Sequence, residues 1–166
     1  MPQSQSQSQS QSLPLSLTRI NPTTAIVTRH FFAPPARVFA CHTDPGLIRQ
    51  WLHGPDGWTM TDCEIDPTPG GKARYAWTAD DGSAGFHLTA ENGFVEAPHR
   101  ITHTERMFLP DPTPDMQVET LFLPADGGTR MVMTLHLPSA DAMDAMLATG
   151  MEHGMEASYQ RLDALA

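Results

Sequence analysis

The tightest constraint on this chain is a series of six strand-length runs, separated by turn residues and followed by a long amphipathic stretch that no proline interrupts. The runs cover residues 58–66, 72–78, 84–96, 100–109, 116–123 and 129–137. Between them stand Pro67-Thr68-Pro69-Gly70-Gly71, Asp80-Asp81-Gly82, Ala97-Pro98, a proline-rich segment at 110–114, and Asp126-Gly127-Gly128. Asp-Gly pairs between such runs are hairpin signals, and short strands joined by hairpins build an antiparallel meander. Beyond them, Met143, Met146, Leu147, Gly150, Met151, Gly154, Met155, Ser158 and Leu162 recur at three- and four-residue steps. That spacing predicts one continuous helix over 139–165, ~40 Å long at ~1.5 Å per residue. Ser139 is placed to cap it, and Asp141 and Asp144 suit the positive end of its dipole.

Upstream, residues 23–31 alternate and are rich in β-branched side chains, which predicts a strand stopped by Pro34-Pro35. Residues 36–42 read as a short helix. Asp44 and Pro45 begin a second one that runs to about residue 52. The expected class is therefore α+β: strand, two short helices, six strands, one long helix. A six-strand meander has an apolar face to bury, and the amphipathic helix offers the matching surface. The sheet must curl around the helix, which leaves a cavity closed at one end by the short helices.

The remaining bulk properties narrow the function. A chain of 166 residues fits one domain. Residues 3–12 alternate strictly between Gln and Ser with nothing apolar to bury, so residues 1–19 are expected to be a disordered tail and 20–166 the folded domain. The formal net charge is -9, which argues against nucleic acid as a partner. No window is apolar enough for membrane insertion, and the N-terminus lacks the basic and apolar segments of a secretory signal. Cys41 and Cys63 have neither zinc spacing nor the count of a disulfide framework, so two reduced thiols and a cytoplasmic location are expected.

Strand alternation then selects the side chains that face the cavity. These are Ile101, His103, Glu105 and Met107 in the fourth run; Met131, Met133, Leu135 and Leu137 in the sixth; Ala73, Tyr75 and Trp77 in the second; and Val118, Thr120 and Phe122 in the fifth. The ligand-binding candidates are Trp51, Trp58, Met60, Tyr75, Trp77, His103, Glu105, Met107, Phe122, Met133, Met146, Gly150, Met151 and Gly154. Methionine adapts to irregular apolar shapes, whether it lines a pocket or fills a core. Gly150 and Gly154 each cost about 1 kcal/mol against alanine inside a helix. That cost must be offset by close backbone packing or by space left open. His103 and Glu105 are polar groups facing an apolar space, and they either orient a ligand, act as an acid–base pair, or satisfy each other and their neighbours. A metal site from His87, His103 and a carboxylate has no supporting ligand spacing, so neither metal nor cofactor is expected. No nucleophile-elbow, dinucleotide or phosphate-loop motif is present.

From about residue 23 to the C-terminus the chain resembles single-domain proteins of the activator of Hsp90 ATPase homologue 1-like family, within the START-like, Bet v 1-like superfamily of helix-grip folds. The resemblance rests on Val38-Phe39, Thr43-Asp44-Pro45, Gln50-Trp51, Cys63-Glu64-Ile65-Asp66, Pro69-Gly70-Gly71, Gly127-Gly128-Thr129-Arg130, Pro138-Ser139 and Thr149-Gly150-Met151-Glu152. Leu52, His103 and Met155 depart from the aromatic or aliphatic residues common at those positions. The resemblance implies a helix-grip fold with a pocket for a small hydrophobic ligand, and no universal catalytic residue to carry over. The Hsp90-activating role belongs to larger two-domain relatives. The favoured reading is a non-enzymatic binder of a small hydrophobic or amphipathic molecule. The alternatives are a cyclase, dehydratase or hydrolase using the same cavity, and a protein-interaction module of the chaperone-cofactor kind. Homodimerisation stays open, with no feature that locates an interface.

Overall fold

The computed structural model describes residues 14–166, so the Gln-Ser alternation lies outside the described residues. The chain builds strands β1 (Ser16–Asn21) and β2 (Thr24–Phe31), helices α1 (Pro35–Thr43) and α2 (Pro45–Trp51), and strands β3 (Trp58–Ile65), β4 (Lys72–Ala79), β5 (Gly85–Glu96), β6 (Arg100–Phe108), β7 (Met116–Ala125) and β8 (Gly128–His136). Helices α3 (Ala140–Ala148) and α4 (Met151–Leu165) complete it. The strands form one eight-stranded antiparallel sheet in the order β1-β2-β8-β7-β6-β5-β4-β3. The two short helices carry the chain from β2 to the far edge at β3. From there the meander returns hairpin by hairpin until β8 pairs with β2.

Register shifts between Met60 and Asp62 and between Asn92 and Val95 interrupt the ladders. Irregularities of this kind bend a strand and increase its twist, which helps the sheet curl. The result is the α+β helix-grip fold expected from the sequence. Asp44 caps α2 as anticipated, its Oδ1 accepting from the backbone N–H of Gly46 at 2.8 Å. Ser139 Oγ accepts from Ala142 N–H at 3.1 Å to cap α3.

Two expectations need correction. Strand β1 falls inside the stretch assigned to the tail, so the sheet extends upstream of residue 20. Only Leu17 of its six residues is even half-buried, because an edge strand needs no apolar face of its own. Its hairpin to β2 is closed by Asn21, whose side-chain oxygen accepts from Thr23 N–H at 3.0 Å. The second correction concerns the long helix, which is broken at Thr149-Gly150. Gly150 has φ +67° and ψ +31°, a left-handed conformation that ends one helix and starts the next. Its glycine is required by this backbone and not by a close neighbour, since an added Cβ would meet nothing nearer than His153 at 3.6 Å.

The main core packs Phe31, Val38, Phe39, Trp51, Phe122, Met131, Tyr159 and Leu162 between sheet and helices. Helix α4 is fastened to β2 by Arg29, which is only 2 % exposed. Its guanidinium donates to Glu156 Oε1 at 2.9 Å and to Asp163 Oδ1 at 2.7 Å. These carboxylates are seven residues apart on one face of α4, and the same guanidinium lies 4.8 Å from the centre of the Phe31 ring. Burial disfavours the cation, but its bonds to the two carboxylates outweigh that and raise its pKa.

Candidate functional site

Between the concave face of the sheet and helices α2 and α4 lies a partly open cavity of about 560 Å³. Its floor follows strand alternation. Ala73, Tyr75 and Trp77 come from β4, Phe86, Leu88 and Ala90 from β5, and Ile101, His103, Glu105 and Met107 from β6. Val118, Thr120 and Phe122 of β7 and Met133 and Leu135 of β8 extend it. The roof is Ile48 and Trp51 of α2 and Leu52 just after it, with Met151, Gly154, Met155, Ser158 and Tyr159 of α4. His42, from the last turn of α1, closes one end.

Fixed aromatic rings set its shape. The Trp51 indole donates to Cys41 O at 2.8 Å, and the Trp77 indole to Leu52 O at 2.8 Å. Trp77 stacks on Phe86 with centroids 4.8 Å apart, and Trp51 on Tyr159 at 5.7 Å. With their N–H groups satisfied by backbone, both indoles present only apolar surface.

The polar groups are few. His103 Nε2 donates to Glu105 Oε2 at 2.9 Å, with the two side chains 21 % and 20 % exposed. The pair is thus satisfied within itself. Arg74 turns away to Asp62, 3.4 Å distant. Burial, reinforced by Cys63 and Glu105, pushes the Tyr75 phenol well above its ordinary pKa. Burial does the same to Tyr159, with Glu105 and Glu156 adding and Arg29 opposing. Both therefore remain neutral hydroxyls.

His42 is the group that alternation could not reveal, because it sits on a helix. Its ring lies against Trp51 at 5.0 Å and Phe122 at 5.1 Å between centroids. Its Nδ1 is 2.8 Å from Val38 O. A carbonyl only accepts, so the proton resides on Nδ1 and Nε2 keeps a lone pair. Nε2 is enclosed and has no hydrogen-bond partner among the described residues. Burial, against the hydrogen bond to Val38, lowers the His42 pKa to about 4.

Of the candidates named from sequence, Trp51, Tyr75, Trp77, His103, Glu105, Met107, Phe122, Met133, Met151 and Gly154 line the cavity. Trp58, Met60, Met146 and Gly150 do not. Met60 packs into a separate cluster with Ile48, Cys63 and Trp77, and Trp58 meets Phe86 edge to face behind the wall. Met146 precedes the helix break and packs with Met143 and Leu137. Gly154 differs from Gly150: a Cβ there would meet no atom within 4 Å, so the missing side chain leaves room. Met131 and Met143 are fully buried core residues. The imagined His87–His103 pairing is ruled out by register, which sets Asn92 opposite His103 and Phe108 opposite His87. No cluster of three or more metal-ligating side chains occurs among the described residues. Burial raises the Cys41 and Cys63 thiols above their usual range, which makes them poor nucleophiles.

The sequence profile of the Activator of Hsp90 ATPase homolog 1-like proteins matches residues 32–166. The chain belongs to that family. Among solved structures, a protein of Rhodobacter sphaeroides is 32 % identical with a TM-score of 0.86, covering 92 % of this chain and 97 % of the other. Protein Ms6760 from Mycobacterium smegmatis is 26 % identical with a TM-score of 0.79, covering 93 % and 96 %. An Activator of Hsp90 ATPase homolog 1-like protein from Aeromonas hydrophila shares the fold at 24 % identity and a TM-score of 0.68, covering 86 % and 93 %. No curated protein matches the chain. Residues 32–166 include every cavity-lining side chain, so the whole site lies within the family domain. Among the described residues no helix is long and apolar enough to cross a membrane.

Proposed function

We propose that this family member binds a small hydrophobic or amphipathic molecule between its sheet and helix α4. The observation that carries the reading is the cavity itself: about 560 Å³, walled by fixed aromatic rings and by thioether side chains, with a few convergent polar groups. Sites for small organic ligands have this size and character. The methionines at 107, 133, 151 and 155 on its wall allow adjustment to a ligand's outline. Free, buried Cys41 and Cys63 suit a reducing compartment, and we place the protein in the cytoplasm on that ground. Native mass spectrometry of protein purified under gentle conditions is the direct test. A co-purified apolar molecule that is released on denaturation supports binding. An empty protein whose melting temperature no apolar compound raises counts against it.

A second reading is favoured by one observation, the 2.9 Å hydrogen bond between His103 and Glu105 on the cavity floor. Such a pair can hold and move a proton, as in a cyclase, dehydratase or hydrolase. Turnover of a bound compound that survives both His103→Ala and Glu105→Gln would remove the pair from any such role.

A further inference from the structure

The cavity wall carries an unbalanced charge. Among the described residues Glu105 is its only carboxylate, and no lysine or arginine contributes to it. The buried cation Arg29 is already engaged by Glu156 and Asp163. Glu105 spends Oε2 on His103, and its Oε1 has no hydrogen-bond partner among the described residues. The strand registers show what surrounds the carboxylate. Ala73 pairs with Ala90, and Ala90 with Glu105, so small methyl groups flank it on the β5 and β4 side, while Met116 of β7 is its partner on the other. One step along the floor come Tyr75, Leu88 and Met107, followed by the stacked Trp77 and Phe86. The cavity therefore has a roomy acidic end and an aromatic end. The field of Glu105 reaches both phenols facing this space and helps raise them, Tyr75 on the floor and Tyr159 on the roof.

Resting on the binding function above, we propose that Glu105 makes the cavity selective for amphipathic molecules whose polar end donates hydrogen bonds and carries no negative charge, an amine or a hydroxyl, and makes it reject carboxylate-headed lipids. The donor head sits over Ala73 and Ala90 against Glu105, and the apolar body lies on Tyr75, Trp77 and Phe86. A carboxylate head would meet a like charge with no lysine or arginine on the wall to neutralise it and with the His103 N–H already given to Glu105, and charge mismatch of that kind selects strongly against wrong ligands. An ammonium head gains both the carboxylate and the neighbouring ring faces.

The test uses four probes that share one apolar body: biphenyl, 4-phenylphenol, 4-phenylbenzylamine and biphenyl-4-carboxylate. Affinities come from calorimetry on the full chain. Location comes from NMR shifts of the methionine methyls, of which Met107 and Met133 line the floor. The expected result is that the amine and the phenol bind at least tenfold tighter than the carboxylate. In Glu105→Gln the amine weakens about tenfold, the carboxylate strengthens and biphenyl is unchanged. Glu105→Met, which removes charge and polarity together, is expected to shift the same two probes the same way. Equal affinity for carboxylate and amine, or a ranking that both variants leave untouched, overturns the selectivity while leaving the binding function standing. Failure of all four probes to move any cavity methyl overturns the binding function, and the selectivity with it.

Discussion

Three residues show how little of a residue's role follows from its type. His42 is an imidazole kept neutral by its surroundings, with a folded-state pKa of about 4 against 6.5 for the free group. Between those values the unfolded chain holds a proton that the folded chain refuses, so stability rises with pH in that window. The contribution is fully present above pH 6.5 and is lost as pH falls toward 4, by up to about 3 kcal/mol at 1.36 kcal/mol per unit. Urea denaturation at pH 7 and pH 4.5 is expected to show a smaller loss for His42→Phe than for the native chain. An identical loss in both would mean that His42 titrates freely when folded. The two glycines of the C-terminal segment make a second contrast. Gly150→Ala is expected to cost about 1 kcal/mol, because an L-residue is strained at its positive φ. Gly154→Leu is expected to leave stability unchanged or to raise it by up to about 1 kcal/mol through helix propensity. It places a side chain in the cavity opening, so probe affinity should fall at least tenfold while far-UV dichroism stays native. Unaltered affinity would show that ligands avoid the Gly154 side.

Among the elements, α4 matters most, because it forms the roof of the cavity. It has no covalent neighbour in the sheet and relies on Tyr159, Ser158 and Leu162 below it and on the Arg29 clamp beside it. Breaking a largely buried ion pair from one side leaves charge without compensation. Glu156 and Asp163 are 22 % and 26 % exposed, so water relieves part of that penalty. Arg29→Met is expected to cost about 3 kcal/mol, toward the low end for such pairs. Hydrogen exchange should locate the loss in α4 and in Leu15, whose N–H donates to Glu156 at 3.0 Å. A loss spread evenly over the sheet would show that Arg29 supports the core and not the helix. The break at Gly150 lets α3 and α4 follow different directions, so Met143 reaches one core cluster while Met151 and Met155 face the cavity.

Taken whole, the molecule is a sheet that packs on α3 and α4 along the β1–β2–β8 side and on α2 through Ile48, Trp77 and Leu88, with the cavity left between α4 and strands β4, β5 and β6. Space of this kind lowers stability in the empty protein, because its lining lacks contact partners. A ligand that fills it binds the native state alone and must stabilise it. Bound at a hundredfold excess over its dissociation constant, it is expected to add about 2.7 kcal/mol, seen as a concentration-dependent rise in melting temperature. A bound probe that leaves the melting temperature flat would have to bind the unfolded chain equally well, which a ligand held by this cavity cannot do.

The order of elements, the seven strands from β2 onward and the inward faces of β4, β6, β7 and β8 could be read from residue types alone. Local rules suffice there: turn residues punctuate, strands alternate, and Asp44 and Ser139 cap by their own chemistry. Strand β1 escaped because an edge strand carries no apolar signature, and the helix break escaped because Gly150 fits the periodicity of an unbroken helix as well as it fits a left-handed kink. Neither His42 at the cavity end nor Met60 and Trp58 behind its wall could be placed by alternation. Their positions depend on how α1 and the bulged β3 pack against distant parts of the chain. Only the tertiary structure decided that the cavity stays open, since a void is a property of the distance between packed surfaces, and no single residue encodes that distance.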